Sequence, residues 1–130
     1  MSAPRHTYVA VVDDDENAGR ALGRLLRAEG FQPVCYLSAE AFLADTKRPV
    51  FDCLVFDVQL GGMSGVELQR QLAASGSSTP VIYITAHDEP RTREQAEAAG
   101  CAAYFRKTAP GQEVVRAIWR AARSSEPRSR

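Results

Sequence analysis

The sequence predicts an α/β fold, in which a doubly wound parallel sheet of five strands carries helices on both faces. Short apolar runs alternate along the chain with segments whose apolar residues recur at helical spacing. Two of these runs are apolar at nearly every position, as is typical of strands buried on both faces. With 130 residues the chain accommodates one domain of ordinary size, which we place at residues 7–123.

The first two predicted strands flank a long amphipathic helix. Residues 8–12 are mostly β-branched and form the first strand. In residues 17–29 alanine and leucine recur at helical spacing, and Gly30 is a stop signal for that helix. Residues 33–36 form a second strand, and Pro33 indicates that it lies at an edge of the sheet because proline donates no ladder hydrogen bond.

Two capping signals frame the third predicted strand. Ser38 caps a short helix before it, and residues 51–56 form the strand, since all but one of them are apolar. Ser64 and Glu67 have the spacing of a capping box, which predicts the start of a third helix there. This helix ends near Gly76.

The second half of the chain repeats the pattern. Residues 81–85 form a fourth, buried strand, and Pro90 occupies a position that the first turn of a helix tolerates. That helix ends at Gly100, and residues 102–105 form a fifth strand. Apolar residues at helical spacing in 114–122 mark the final helix.

Composition excludes several classes of protein. Sixteen basic residues balance sixteen acidic ones, so the chain has no net field that would hold nucleic acid or an anionic membrane. It has no apolar run long enough to span a bilayer and no signal-peptide core. Cys35, Cys53 and Cys101 lack metal-ligand spacing and indicate core residues in a reducing compartment. We therefore expect a soluble cytoplasmic domain with a polar tail or linker stub at 124–130.

Polar residues stand where four of the predicted strands end. Asp13 and Asp14 follow the first strand, Asp57 follows the third, Thr85 ends the fourth, and Lys107 follows the fifth. The carboxyl ends of parallel strands meet at one edge of a sheet, where ligands bind in such folds. Lys107 is also one of only two lysines beside fourteen arginines. We expect these side chains to form one site.

These residue types suit phosphoryl transfer. Clustered carboxylates repel one another unless a cation is present, and oxygen ligands of this kind suit Mg²⁺. Asp57 stands alone after an apolar strand and can act as a nucleophile toward phosphorus. Lys107 supplies positive charge for the transferred group and Thr85 a hydrogen bond. Taken singly, each residue also fits an ordinary role: a helix cap for the first two aspartates, a turn for Asp57, a strand end for Thr85 and a surface position for Lys107.

Four segments carry a resemblance to a known family. They are VVDDD at 11–15, LVFDVQLGGMSGVEL at 54–68, VIYITAH at 81–87 and AGCAAYFRK at 99–107. In this order and spacing the chain resembles, from Val9 to about Ala122, a receiver domain of bacterial two-component response regulators. The resemblance implies a flavodoxin-like sheet with strand order 2-1-3-4-5.

The resemblance also implies roles for the site residues. Asp57 would accept a phosphoryl group from a phosphohistidine on a sensor histidine kinase or a phosphotransfer protein. Asp14 would bind Mg²⁺ directly, Asp13 directly or through water, and the main-chain carbonyl of Gln59 would complete the protein ligands. Lys107 would pair with Asp57 before the transfer and with the phosphoryl oxygens after it. Such a domain catalyses its own phosphorylation and slow autodephosphorylation and is not otherwise an enzyme.

A switch is implied as well. Thr85 would bind the phosphoryl group, and its movement would let Tyr104 turn inward, which changes the surface of the fourth helix, fifth strand and fifth helix. Tyr104 also fits the role of a half-buried strand aromatic. Gln59 and His87 stand at positions that influence autodephosphorylation in the family, and for His87 we expect at most an effect on water access. The downstream effector or output domain is expected outside this chain. The resemblance is also compatible with a homodimer that forms through the fourth and fifth helices.

The sequence departs from the family at two places. Thr108 stands where a proline with a cis peptide bond is usual, and a non-proline cis bond costs about 3–4 kcal/mol. We therefore expect a trans bond after Lys107 and a shifted loop at 108–111. Gly61 and Gly62 occupy positions where a proline is common, which predicts a more flexible loop after Asp57.

Two alternatives differ in class. A degenerate receiver would act as an interaction module without phosphorylation. A phosphohydrolase with an aspartyl nucleophile would carry a second aspartate two positions after Asp57, where this chain has Gln59. The sequence leaves open whether the chain is a stand-alone regulator or a part of a longer transcription regulator.

Overall fold

The computed structural model describes residues 6–86 and 89–125, in which strands and helices alternate. None of the helices in these ranges is both long and apolar enough to cross a bilayer. The strands are β1 (Thr7–Val12), β2 (Phe31–Tyr36), β3 (Cys53–Asp57), β4 (Val81–Thr85) and β5 (Ala103–Arg106). The helices are α1 (Glu16–Ala28), α2 (Ala39–Ala44), α3 (Gly65–Ala74), α4 (Pro90–Ala98) and α5 (Gly111–Ser125).

The strands form one parallel sheet in the order β2-β1-β3-β4-β5, which confirms the predicted architecture. β2 lies at the edge, as Pro33 indicated. Successive side chains of β1 point into two different cores. Val9 and Val11 pack with residues of α1 and α5, whereas Ala10 and Val12 pack with residues of α2, α3 and α4. The sheet is therefore buried on both faces.

Hydrogen-bonding caps begin the helices that follow β1 and β3. The carboxylate of Asp15 accepts hydrogen bonds from the main-chain N–H groups of Asn17 and Ala18 at the start of α1. Ser64 and Glu67 form the predicted capping box at the start of α3. Both helices begin close to the acidic strand ends, so the caps help to fix the loops that carry the site residues.

Several element boundaries differ by one to three residues from the sequence prediction, among them those of β2, β3, β5 and α5. β3 begins at Cys53, because Asp52 is held outside the strand by its own side chain. The Asp52 carboxylate accepts the Tyr8 N–H at 2.9 Å. Phe51 lies just before the strand and is still a buried core residue, so the apolar run begins earlier than β3 does. α5 runs to Ser125 and includes two residues of the segment predicted as a tail, while 126–130 lie outside the described residues.

The prediction that all three cysteines are core residues is wrong for Cys35. Cys53 is buried and Cys101 half-buried, but Cys35 is exposed. The reason is that Cys35 lies on the edge strand β2, where its Sγ lies against α1 and donates to the carbonyl oxygen of Gly19 at 3.6 Å. An apolar sequence run does not reveal which of its side chains the helices cover.

A buried polar chain ties β4 to α3 and α4. Tyr83 is fully buried and its hydroxyl donates to the side-chain oxygen of Gln69. The amide nitrogen of Gln69 in turn donates to the carbonyl oxygen of Ala99 at 3.0 Å, at the end of α4. Since Tyr83 and Gln69 are buried, the loss of one of them leaves a polar group of the other unsatisfied.

We expect Tyr83→Phe to lower the free energy of unfolding by about 1–3 kcal/mol, because the variant leaves the buried Gln69 oxygen without its donor. Urea unfolding measures this effect. Tyr8→Phe is the matched control, since the Tyr8 side chain is only half-buried, and its expected change is within about 0.5 kcal/mol. Equal changes in the two variants would contradict a structural role for the polar chain.

Candidate functional site

Three carboxylates meet at the carboxyl ends of the two central strands. β1 and β3 are parallel neighbours with Val12 opposite Phe56, so the residues that follow lie side by side. Oxygen atoms of Asp13, Asp14 and Asp57 all lie within 4.8 Å of one another. Asp13 and Asp57 are buried, whereas Asp14 is exposed and opens the cluster to solvent. The structure thus brings together the acidic residues that the sequence singled out.

Lys107 reaches this cluster from the end of β5. Its Nζ lies 3.0 Å from Oδ2 of Asp57 and 3.0 Å from Oδ2 of Asp13. The main-chain N–H of Lys107 donates to the carbonyl oxygen of Thr85 at 2.8 Å, which fixes the lysine at the end of the sheet. The pair with Asp57 was expected from the resemblance, and the bond to Asp13 is an addition to it.

The peptide bond between Lys107 and Thr108 is trans, as predicted. The lysine still contacts Asp57, so the threonine does not remove the ammonium group from the site. The shift of residues 108–111 stays a prediction.

Burial and charge oppose each other in this cluster. Burial raises the pKa of Asp57, while the bonds from Lys107 and from the Gln59 N–H work against that rise. Burial alone would lower the pKa of Lys107, but the hydrogen bonds and charges of Asp13 and Asp57 raise it overall. The ammonium group therefore stays charged at neutral pH. One ammonium group does not balance the charge of three carboxylates, so the cluster can take up a further positive charge.

The first part of the loop between β3 and α3 (residues 58–64, the β3–α3 loop) is held by the cluster itself. The Gln59 N–H donates to Oδ1 of Asp57 at 3.0 Å. The Gly61 N–H donates to Oδ2 of Asp14 at 3.3 Å. The main chain of Gln59 therefore lies beside the Asp57 carboxylate.

The far part of the loop, the part next to α3, is held by a residue that the sequence did not indicate. The Met63 N–H donates to Oε2 of Glu40 on α2 at 2.9 Å. The two residues are 23 positions apart on different elements, and no sequence pattern marks such a contact. The flexibility predicted from Gly61 and Gly62 stays a prediction.

A family model of the response regulator receiver domain matches residues 9–119. The chain belongs to this family. The receiver domain is 36% identical over 126 residues to the response regulator protein TodT of Pseudomonas putida, covering 97% of this chain and 55% of TodT. It is 35% identical over 112 residues to the sensory transduction protein RegX3 of Mycobacterium tuberculosis, covering 86% of this chain and 49% of RegX3. The chain thus spans about half the length of these relatives.

Solved structures agree with the family. The crystal structure of FixJ-N superimposes with a TM-score of 0.84 and 33% sequence identity, covering 92% of this chain and 96% of that one. A CheY-like receiver domain from Methanospirillum hungatei has a TM-score of 0.85 at 21% identity, covering 93% and 97% of the two chains, and shows the common fold.

The remaining site residues lie on β4 and β5 of the receiver domain. Thr85 ends β4 and is fully buried beside Arg106 of β5. Tyr104 of β5 is half-buried with its hydroxyl oxygen buried, and the guanidinium carbon of Arg93 on α4 lies 5.1 Å from its ring centre. Tyr104 therefore contacts α4. The switch roles of Thr85 and Tyr104 stay predictions, and His87 lies outside the described residues.

Proposed function

We propose that this receiver domain accepts a phosphoryl group on Asp57 in a reaction that requires Mg²⁺, and that the change at Asp57 switches the surface of α4, β5 and α5. The observation that carries the proposal is the convergence of the Lys107 ammonium on the Asp57 carboxylate at 3.0 Å, inside a cluster of three carboxylates. A lysine and a carboxylate from separate strand ends are the groups that this transfer needs.

The transfer forms one bond and breaks one. A carboxylate oxygen of Asp57 attacks the phosphorus of a phosphohistidine, and the P–N bond breaks with its electron pair going to the imidazole, which takes a proton from water. The product is a mixed anhydride of the aspartate side chain and phosphate. Lys107 neutralises charge on the phosphoryl oxygens. In this reaction the domain catalyses its own modification, and slow hydrolysis of the anhydride restores it.

The donor set at the strand ends fits a hard divalent cation. Carboxylate oxygens within 4.8 Å of one another, one of them exposed, suit the mixed protein and water coordination of Mg²⁺. Asp13, Asp14, Asp57 and the carbonyl oxygen of Gln59 would hold the ion. When bound, Mg²⁺ supplies positive charge that stabilises the phosphoryl oxygens.

The switch rests on contacts between β5 and α4. A hydrogen bond from Thr85 to the new phosphoryl group would change the packing at the end of β4. Tyr104 lies on β5 two residues before Arg106, the residue opposite Thr85, and its ring contacts Arg93 of α4. A change in the Tyr104 rotamer would therefore alter the position of α4.

The proposal includes partners of two kinds. The phosphoryl donor is a sensor histidine kinase or a phosphotransfer protein, and the target is an effector or output domain outside this chain. TodT and RegX3, a response regulator and a sensory transduction protein about twice this length, support an output portion. A cytoplasmic location and a homodimer are further parts of the proposal.

Intact-mass analysis after treatment with acetyl phosphate and Mg²⁺ tests the acceptor. We expect the wild type to gain the mass of one phosphoryl group, and Asp57→Asn to gain none, because an amide does not act as the nucleophile. Asp15→Asn is the matched control: asparagine is as good an N-cap as aspartate, so this variant should be phosphorylated normally.

A mass gain that persists in Asp57→Asn would contradict the acceptor assignment. No gain in the wild type would favour the alternative function, a degenerate receiver that binds its partners without phosphorylation. Chelation with EDTA should abolish the gain in the wild type, and a gain that EDTA leaves unchanged would contradict the requirement for Mg²⁺.

A further inference from the structure

We propose that Glu40 is a positioning residue for the phosphorylation site, because it holds the far part of the β3–α3 loop and so sets the place of the Gln59 carbonyl. This inference rests on the proposed function, since Gln59 contributes to that function only if the site binds a divalent cation. Glu40 itself lies on α2 and is not one of the three aspartates of the cluster.

The first support is the bond itself. Oε2 of Glu40 accepts the Met63 N–H at 2.9 Å, the usual distance for a well-formed N–H···O hydrogen bond. The bonds from the main-chain N–H groups of Met63 and of Glu40 lower the pKa of the Glu40 carboxyl, so this acceptor is ionised at neutral pH.

The second support is the shape of the loop at Gly62. Gly62 has φ of 78°, in the left-handed region, and a Cβ atom there would lie 2.8 Å from Oε2 of Glu40. The positive φ favours glycine here, and the absence of a Cβ atom lets the main chain lie against the Glu40 carboxylate. Gly62 and Glu40 fit one another, in a loop that lacks the proline usual in the family.

The third support is that Glu40 stands on a firm element. α2 is capped by the Ser38 side chain, which accepts the Ala41 N–H at 2.9 Å. Phe42 of α2 is buried and packs against the rings of Tyr36 and Phe51. The helix that carries Glu40 is thus anchored to the core, although the Glu40 side chain itself is exposed.

The bonds of the loop to Asp14 and to Glu40 differ in how a cation affects them. Asp14 accepts the Gly61 N–H at 3.3 Å, but Asp14 is also a member of the cation cluster, and a bound ion would compete for the same oxygen. Glu40 is outside that cluster, so its bond to Met63 persists when the site is loaded. Glu40 therefore keeps the loop in position when a bound cation weakens the bond between Asp14 and the Gly61 N–H.

The test compares Glu40→Ala with Glu40→Gln. Alanine removes the acceptor, whereas glutamine keeps an oxygen that can accept the Met63 N–H, so glutamine should rescue the function. Glu94→Ala is the matched control, because Glu94 is an exposed glutamate on α4. Amide hydrogen exchange at Met63 without metal, and the half-saturating concentration in a calorimetric titration with Mg²⁺ alone, are the two readouts.

We expect Glu40→Ala to speed exchange at Met63 about fivefold and to raise the half-saturating Mg²⁺ concentration about fivefold, as the loss of one modest hydrogen bond would. Glu40→Gln should stay within about twofold of the wild type, and Glu94→Ala should match it. The melting temperature of each variant shows whether global unfolding contributes.

The inference is overturned if Glu40→Ala matches the wild type in both readouts, or if Glu40→Gln behaves like Glu40→Ala. Failure of the proposed function looks different. In that case the wild type gains no phosphoryl group from acetyl phosphate, while exchange at Met63 still responds to Glu40→Ala.

Discussion

Gly65→Ala is expected to lower the free energy of unfolding by about 3 kcal/mol or more, the upper range for overpacking of a core. A Cβ atom at this position would lie 2.5 Å from the main-chain oxygen of Asp57 and 3.2 Å from Cε1 of Tyr83. Neither neighbour can move freely, because Asp57 ends a central strand and Tyr83 is fully buried. Urea unfolding measures the loss.

The same clash bears on the site. The Gly65 N–H donates to the Val58 carbonyl oxygen at 3.1 Å, so displacement of α3 pulls on the residue next to Asp57. Any Gly65→Ala protein that folds should therefore also be phosphorylated more slowly by acetyl phosphate.

Gly19→Ala is the control for this prediction. A Cβ atom at Gly19 would have Asp13 Cβ as its nearest neighbour at 3.9 Å, an ordinary contact. Because Gly19 lies inside α1, alanine should leave stability unchanged or raise it by about 0.5–1 kcal/mol. A loss in Gly19→Ala as large as that in Gly65→Ala would contradict the steric explanation.

Lys107→Met is expected to destabilise the domain by about 2–3 kcal/mol at neutral pH in the absence of Mg²⁺. The variant leaves the carboxylates of Asp13 and Asp57 facing each other, with only 10% and 7% of their side chains exposed. The estimate lies below the full cost of breaking a buried ion pair because 21% of the Lys107 side chain is exposed.

The pH dependence of this loss follows from the same contacts. Burial raises the pKa of Asp57 in the folded protein, and without Lys107 it rises further above the value in the unfolded chain. The folded variant then binds the proton more tightly, so its free energy of unfolding falls as the pH rises from about 4 through the folded pKa. The loss of unfolding free energy in Lys107→Met, relative to the wild type, should be small in acid and reach its full size at neutral pH.

Added Mg²⁺ should recover part of the lost stability, since a cation can neutralise the carboxylates in place of the ammonium. Lys47→Met is the matched control, because Lys47 is the other lysine of the chain and is exposed. Thermal unfolding as a function of pH and Mg²⁺ measures both effects. A deficit that is constant with pH, or equal in Lys47→Met, would contradict the assigned role of Lys107.

The sequence predicted the sheet and the acidic cluster because both depend on local pattern and parallel topology. Apolar strands reveal themselves by composition, and the residues that follow neighbouring parallel strands must meet at one edge. This argument placed Asp13, Asp57 and Lys107 together. In the structure the Lys107 ammonium lies within hydrogen-bonding distance of both carboxylates.

Contacts between distant side chains could not be predicted in this way. The bond of Glu40 to Met63 and that of Tyr83 to Gln69 join residues on different elements, and neither leaves a periodic or compositional mark. Exposure of Cys35 depends on how much of the edge strand the helices cover, and an apolar run does not indicate this.

Reductive trapping tests the central claim most directly. An aspartyl phosphate is reduced by borohydride to homoserine, so the phosphorylated wild-type protein, once reduced and digested, reports the acceptor by the position of the converted residue. Our account predicts homoserine at position 57 and at neither Asp13 nor Asp14. Conversion at either of those aspartates, or a stable phosphoryl group on a residue that borohydride leaves unchanged, would contradict it.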